Sequence, residues 1–153
     1  MQEPDEQDKA ILRLLQQNNR MTTEQLSMQV HLSQSAVQRR ITRMREEKII
    51  EADISVISPA AAGVTLTTIV DVVLHEGNSY SINAFKQSML SCPEVSQCYF
   101  VTGNYDFVIV VNTTDMAHFE RFSKNHLMDN VNLKHFYTHV VMDRVKVGFT
   151  LAI

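Results

Sequence analysis

Chemistry is densest between Leu32 and Arg45, LSQSAVQRRITRMR, which holds Arg39, Arg40, Arg43 and Arg45 and no acidic residue. Val37, Ile41 and Met44 recur at helical spacing and form a narrow apolar stripe. Gln34, Ser35, Gln38, Arg39, Thr42 and Arg43 fall elsewhere on the same helix. Ser33 stands where an N-cap would accept an early backbone N–H. Arg presents a donor fork that matches the guanine edge, and the Gln amide pairs bidentately with adenine. A helix with one apolar face and one Arg/Gln/Ser face therefore suits the major groove of DNA. An ordinary amphipathic surface helix has the same periodicity, so the neighbouring elements must decide between the two.

A second candidate is the turn Gly103-Asn104-Tyr105-Asp106, which reads either as a plain hairpin turn or as a polar binding loop. The remaining reactive residues point to no chemistry. His31, His75, His118, His126, His135 and His139 show no HExxH or HxH spacing, and no metal site is expected. Cys92 and Cys98 match no common zinc or redox spacing and read as small buried apolar side chains. No nucleophile elbow, Gly-rich phosphate loop or paired-carboxylate motif occurs. Catalytic residues: none are expected, and no enzyme reading gains support.

The elements that must position the arginine helix lie just before it. Residues 5–18 predict a first helix, with Asp5 as cap and Ile11, Leu14, Leu15 and Asn18 on one face. Thr22 opens a second helix, and Gln25 completes a capping box. Leu26 and Val30 supply its inner face, and His31-Leu32 turn directly into the Ser33 helix. Three helices with a short turn between the last two make a helix-turn-helix. Ile49 to Ile57 alternates in part and predicts a strand leaving the unit. Pro59 to Gly63 is a connector.

Beyond it the chain turns β-rich. Strands are predicted over 64–75, 95–102, 107–111 and 133–147, and helices over 79–91 and 114–128. Met116, Phe119, Phe122 and Leu127 are expected to face inward from the last helix. Gly103-Asn104 predicts a tight turn between the middle strands. The order is that of a split βαβ sandwich, one antiparallel sheet with two helices on a single face. Phe-Val-Ile-Val-Val at 107–111 has no polar face, so the open side of the sheet is expected to be covered, most simply by a second copy.

The fold class is thus α+β: an N-terminal (winged) helix-turn-helix in 1–58, a linker in 59–63 and a βαββαβ ferredoxin-like domain in 64–153. The formal net charge is −3, yet residues 33–45 carry +4 and the remainder −7, so any nucleic-acid surface is local. The acidic N-terminus is no secretory signal, and no apolar run of about 18 residues is present to span a membrane.

This combination resembles the Lrp/AsnC (leucine-responsive, feast/famine) family. The resemblance rests on Asp8-Lys9-Ala10-Ile11-Leu12, Leu32-Ser33-Gln34-Ser35-Ala36-Val37 and Arg40-Ile41-Thr42-Arg43-Met44. In the second half it rests on Val101-Thr102-Gly103-Asn104-Tyr105-Asp106 and on Val140 to Lys146. The chain departs from the family by placing His31 and Lys48 where glycine is usual, and Asp129-Asn130-Val131 where Pro-Gly-Val is usual. The first two places call for a left-handed or loosely capped backbone.

The resemblance implies a DNA-binding transcription regulator that responds to an amino acid or related small molecule. DNA contacts fall on Thr22, Thr23, Ser33, Gln34, Ser35, Gln38, Arg39, Arg40, Arg43 and Arg45. Of these, Gln34, Ser35, Gln38 and Arg39 reach base edges, while Arg43 and Arg45 hold phosphates. Arg40 either joins the phosphate contacts or packs against its own domain. The implied effector, a free amino acid received between dimers, meets backbone groups of Gly103, Asn104 and Tyr105, with Thr138 and Val140 from the last strand. Asp106 either acts near the effector's ammonium or caps the loop. The implied partners are double-stranded DNA, the amino-acid effector and further copies of the chain, as a dimer assembling to a tetramer or octamer. No cofactor is implied, and the setting is bacterial or archaeal cytoplasm, at the nucleoid. Two other readings fit parts of the pattern. One is an architectural nucleoid protein. The other is a sirohaem decarboxylase-like enzyme, which would not need an arginine-rich third helix.

Overall fold

A computed structural model describes residues 3–153 and divides into two compact units, 3–56 with 146–153 and 57–145. In the first, α1 (Glu6–Gln17), α2 (Thr23–Val30) and α3 (Gln34–Glu46) close around Ile11, Leu26, Val30, Val37, Ile41 and Met44. Each helix start is set locally. Asp5 and Thr22 both form reciprocal capping boxes, with Asp8 and Gln25, and the Ser33 hydroxyl accepts from Ala36 N at 3.2 Å. Asn18 caps the end of α1 and is exposed rather than inward-facing.

The two positions lacking the usual glycine are left-handed, His31 at φ 55° and Lys48 at φ 58°. Past His31, the Leu32 N–H returns to Ser27 O at 3.3 Å, the bond that reverses the chain between α2 and α3. Past Lys48, the Ile49 and Ile50 N–H groups both bond to Met44 O, at 2.8 and 3.0 Å. This closure replaces the start of the strand expected over 49–57, which does not form. Its backbone has no partner strand, so the helix-turn-helix carries no strand-built wing among the described residues.

In the second unit, β1 (Leu66–Leu74), β2 (Val95–Phe100), β3 (Phe107–Thr113) and β4 (Leu133–Val140) form one antiparallel sheet in the order β2-β3-β1-β4. This is the βαββαβ arrangement that the sequence predicts. α4 (Ser79–Leu90) and α5 (Met116–Ser123) pack on one face. Val70, Val72, Phe107, Ile109 and Val111 meet Phe85, Met89, Phe119 and Phe122 there. The helix expected to run through 114–128 is α5 followed by a π-helical turn over Lys124–Met128. Met116 in its first turn is 58% exposed and not inward, whereas Leu127 is buried.

β4 ends well short of residue 147. Thr68 pairs with Val140 and Thr67 O still accepts from Val141 N, but β1 begins at Leu66, so the chain beyond runs out of partner. Residues 146–153, assigned from the sequence to the second domain, instead group with the first unit. Gln16 exchanges two hydrogen bonds with the Leu151 backbone, and Arg13 Nε donates to Ile153 O at 2.5 Å.

Candidate functional site

α3 sorts its polar residues by what they touch. Gln34, Ser35, Gln38, Arg39 and Thr42 are exposed, and Arg39 has no ion-pair partner among the described residues. The exposed residues make weak local bonds only: Ser33 and Ser35 hydroxyls lie 3.1 Å apart, and Gln38 Nε2 donates to Thr42 Oγ1 at 3.3 Å. This surface offers amides, hydroxyls and one guanidinium, the groups that read base edges. Thr22 is exposed, but its hydroxyl is occupied by Gln25 N at 3.1 Å; Thr23 is half-buried.

Arg40 and Arg43 face the other way. Arg40 Nη1 lies 2.8 Å from both Asp5 Oδ2 and Asp8 Oδ1, and Arg43 Nη2 lies 2.5 Å from Asp8 Oδ2. Arg40 thus packs within its own unit. Arg43, expected at phosphate, is engaged by the same carboxylate. Burial pushes the Asp8 carboxyl up, but hydrogen bonds from Arg43 and Arg40 outweigh it and hold it below its usual range. Asp5 is also held down, first by the Asp8 N–H and then by Arg40. Arg45 differs, pairing with Asp53 at 3.0 Å where both side chains are nearly half exposed. Such a surface pair is weak and gives way readily to a phosphate.

The candidate loop at Gly103 to Asp106 is longer than the tight turn expected. β2 stops at Phe100, and residues 101–106 cross to β3, with Gly103 at φ 115°. Val101 N bonds to Asp106 O, and Asp106 N bonds to Val72 O, both at 2.9 Å. Asp106 Oδ2 accepts from Leu74 N at 2.7 Å, so this carboxylate braces the loop against β1. Gly103, Asn104 and Tyr105 are left exposed.

The Tyr105 ring meets Tyr137 edge-on with centroids 6.0 Å apart, and His135 meets Tyr137 at 5.3 Å. Strand register puts Tyr137 opposite Asp71, but Thr138 opposite Val70 and Val140 opposite Thr68. Val70 and Thr68 point into the helix-covered core. Within one chain the loop therefore comes together with Tyr137 and His135, while Thr138 and Val140 lie on the other face of β4. Sequence reasoning missed Tyr137 and His135. Their period-two spacing on a strand was the available signal.

Two clusters lie apart from both surfaces. Cys92 is buried and Cys98 exposed, so only the first fits the expected buried role. Burial and the Glu94 carboxylate push the Cys92 thiol up to about 11. His118 Nε2 meets the other Glu94 oxygen at 3.1 Å. Among the described residues no group of three metal-ligating side chains forms.

Comparison with known proteins bears on both surfaces. The AsnC-type helix-turn-helix domain matches residues 5–45, and the Lrp/AsnC ligand binding domain matches residues 67–151. An uncharacterized HTH-type transcriptional regulator of Sinorhizobium fredii is 42% identical over 151 residues, covering 99% of this chain and 89% of that protein. The transcriptional regulator AzlB of Bacillus subtilis is 30% identical over 142 residues, covering 93% of this chain and 90% of that protein. A transcriptional regulator from Neisseria meningitidis, solved as its L-Met complex, superposes with a TM-score of 0.89 at 27% identity, covering 97% of this chain and 96% of that one.

Proposed function

Because this chain belongs to the Lrp/AsnC family of transcriptional regulators, we propose that it binds defined double-stranded DNA sites through α3 and adjusts its assembly to a free amino acid. The observation that carries the DNA reading is the exposed Gln34, Ser35, Gln38 and Arg39 face, whose guanidinium has no ion-pair partner among the described residues. Bases are read there, and Arg45 adds phosphate affinity after releasing Asp53. Thr22, Thr23 and Ser33 flank this face, with Thr22 and Ser33 acting first as caps.

The effector reading is supported by the Neisseria meningitidis regulator, a protein of the same fold bound to L-Met. In this chain the exposed loop at Gly103 to Tyr105 supplies the backbone groups for a zwitterion, and Asp106 faces the ammonium with the oxygen that Leu74 leaves open. Thr138 and Val140 contribute from a neighbouring chain, because within one chain they lie across the sheet. The uncovered sheet face, with Ile69, Val108, Val110, Tyr99 and Tyr137, pairs with a second copy, and dimers assemble further. Effector bound between dimers then changes the spacing of paired α3 helices without altering any base contact.

Arg39→Ala tests the DNA part. It should cost about 1–3 kcal/mol, concentrated at one base position. Unchanged affinity together with unchanged sequence preference would remove Arg39 from the reading face.

A further inference from the structure

The first unit commits two of its arginines before any DNA arrives. Asp8, 1% exposed on α1, receives Arg40 on one oxygen and Arg43 on the other. Its Oδ2 also accepts the Asp5 N–H at 3.1 Å, and its own N–H donates to Asp5 Oδ1 at 2.8 Å. Asp5 Oδ2 takes Arg40 as well. Two carboxylates and two guanidiniums form a charge-balanced knot that ties the start of α1 to the middle of α3. Drawing either arginine away to a phosphate would leave the buried Asp8 carboxylate with half of its compensation, which costs more than opening a surface pair. The Arg45–Asp53 pair is such a surface pair, and among the described residues Arg39 has no ion pair to open.

We infer that Asp8 is a positioning residue of the DNA surface: it withholds Arg40 and Arg43 from phosphate and fixes the orientation of α3, so that each protomer meets DNA with Arg39 and Arg45 only. The inference rests on the reading that α3 faces DNA. It explains how a helix with four arginines can favour sequence over bulk charge. Half of its charge is spent inside the fold, and the remainder stands among amides and hydroxyls that discriminate bases. Arg40 and Arg43 then act on specificity through geometry, by holding Gln34, Gln38 and Arg39 at one pitch against the groove.

The test is the slope of log binding constant against log salt for the full chain on a labelled mixed-sequence duplex, between about 50 and 200 mM KCl. Each phosphate contact adds about 0.9 to that slope, and loss of fold stability alone does not imitate the change. Arg45→Gln, which removes the phosphate contact assigned to α3, should make the slope shallower by about 0.9 per bound protomer. Arg40→Gln and Arg43→Gln should leave it unchanged, whatever they do to the melting temperature. Asp8→Asn, which removes the buried charge that holds both guanidiniums, should steepen the slope and tighten binding at the low-salt end. Asp5→Asn should steepen it by less. A slope for Arg40→Gln or Arg43→Gln as shallow as that for Arg45→Gln would overturn the inference, as would a folded Asp8→Asn protein with an unchanged slope. If Arg45→Gln also leaves the slope where it was, α3 is not on the DNA, and it is the functional reading that falls.

Discussion

Asp106 Oδ2 lies 2.7 Å from the backbone nitrogen of Leu74, so the acidic residue of the 101–106 loop is a structural brace as well as a candidate ligand contact. The two roles separate by substitution. Asp106→Ala leaves the Leu74 N–H without its acceptor and should cost about 1.5–3 kcal/mol, the range for a hydrogen bond to a charged group. Asp106→Asn keeps an acceptor oxygen and should cost clearly less. Both should abolish saturable amino-acid binding by calorimetry, because neither side chain carries the charge that pairs with an ammonium. Urea unfolding supplies the stability values, and equal losses for the two variants would show that the brace does not depend on an acceptor.

The Asp5–Asp8 knot makes the first unit acid-sensitive in a definite direction. Both carboxyls titrate below their ordinary value of 3.8 in the folded chain. Their contribution is therefore fully present above that value and lost as pH falls through the lower native ones. Unfolding followed by circular dichroism should show a stability loss below about pH 4 that is smaller in Asp8→Asn. The same acid-side loss in that variant would place the sensitivity elsewhere.

His31 and Lys48 hold left-handed backbone that glycine adopts with less strain. A non-glycine residue there costs about 1–2 kcal/mol, part of which glycine returns through its freer unfolded chain. His31→Gly should raise stability by about 0.5–1 kcal/mol, and His31→Val should lower it. A glycine variant that melts below the parent would mean that the imidazole makes a stabilising contact in solution.

Ile69 is 37% exposed and Tyr99 and Tyr137 are each 52% exposed on the sheet face away from the helices. Ile69→Lys should leave the chain folded and lower its sedimentation coefficient relative to the native protein, because burying that charge against a second sheet carries a large desolvation cost. A variant that sediments as the native protein does at the same concentration would move any interface off this face.

What could be read from the sequence follows the range of the interaction. The caps at Asp5, Thr22 and Ser33 and the core stripe of Val37, Ile41 and Met44 depend on residues within one turn and are legible in the chain, whereas the left-handed His31 comes from the family resemblance. The order of strands and helices is legible too, because period two and period 3.6 differ plainly over 64–140. Arg43 is the counterexample. Its type and spacing fit phosphate binding, but its partner Asp8 is 35 residues away and comes within reach only once α1 crosses α3. The segment 49–57 fails for a related reason, since alternation supplies strand propensity and no partner edge was present. Thr138 and Val140 were placed by resemblance alone, and only strand register shows which face they occupy.

The most direct test of the account is fluorescence anisotropy of the native protein on DNA from upstream of its own gene, repeated across a panel of amino acids and paired with footprinting. The account predicts tighter binding to that fragment than to a mixed-sequence duplex, and at least one amino acid that changes footprint spacing and sedimentation together. Equal affinity for both duplexes, with spacing and sedimentation unmoved by every amino acid in the panel, would contradict it.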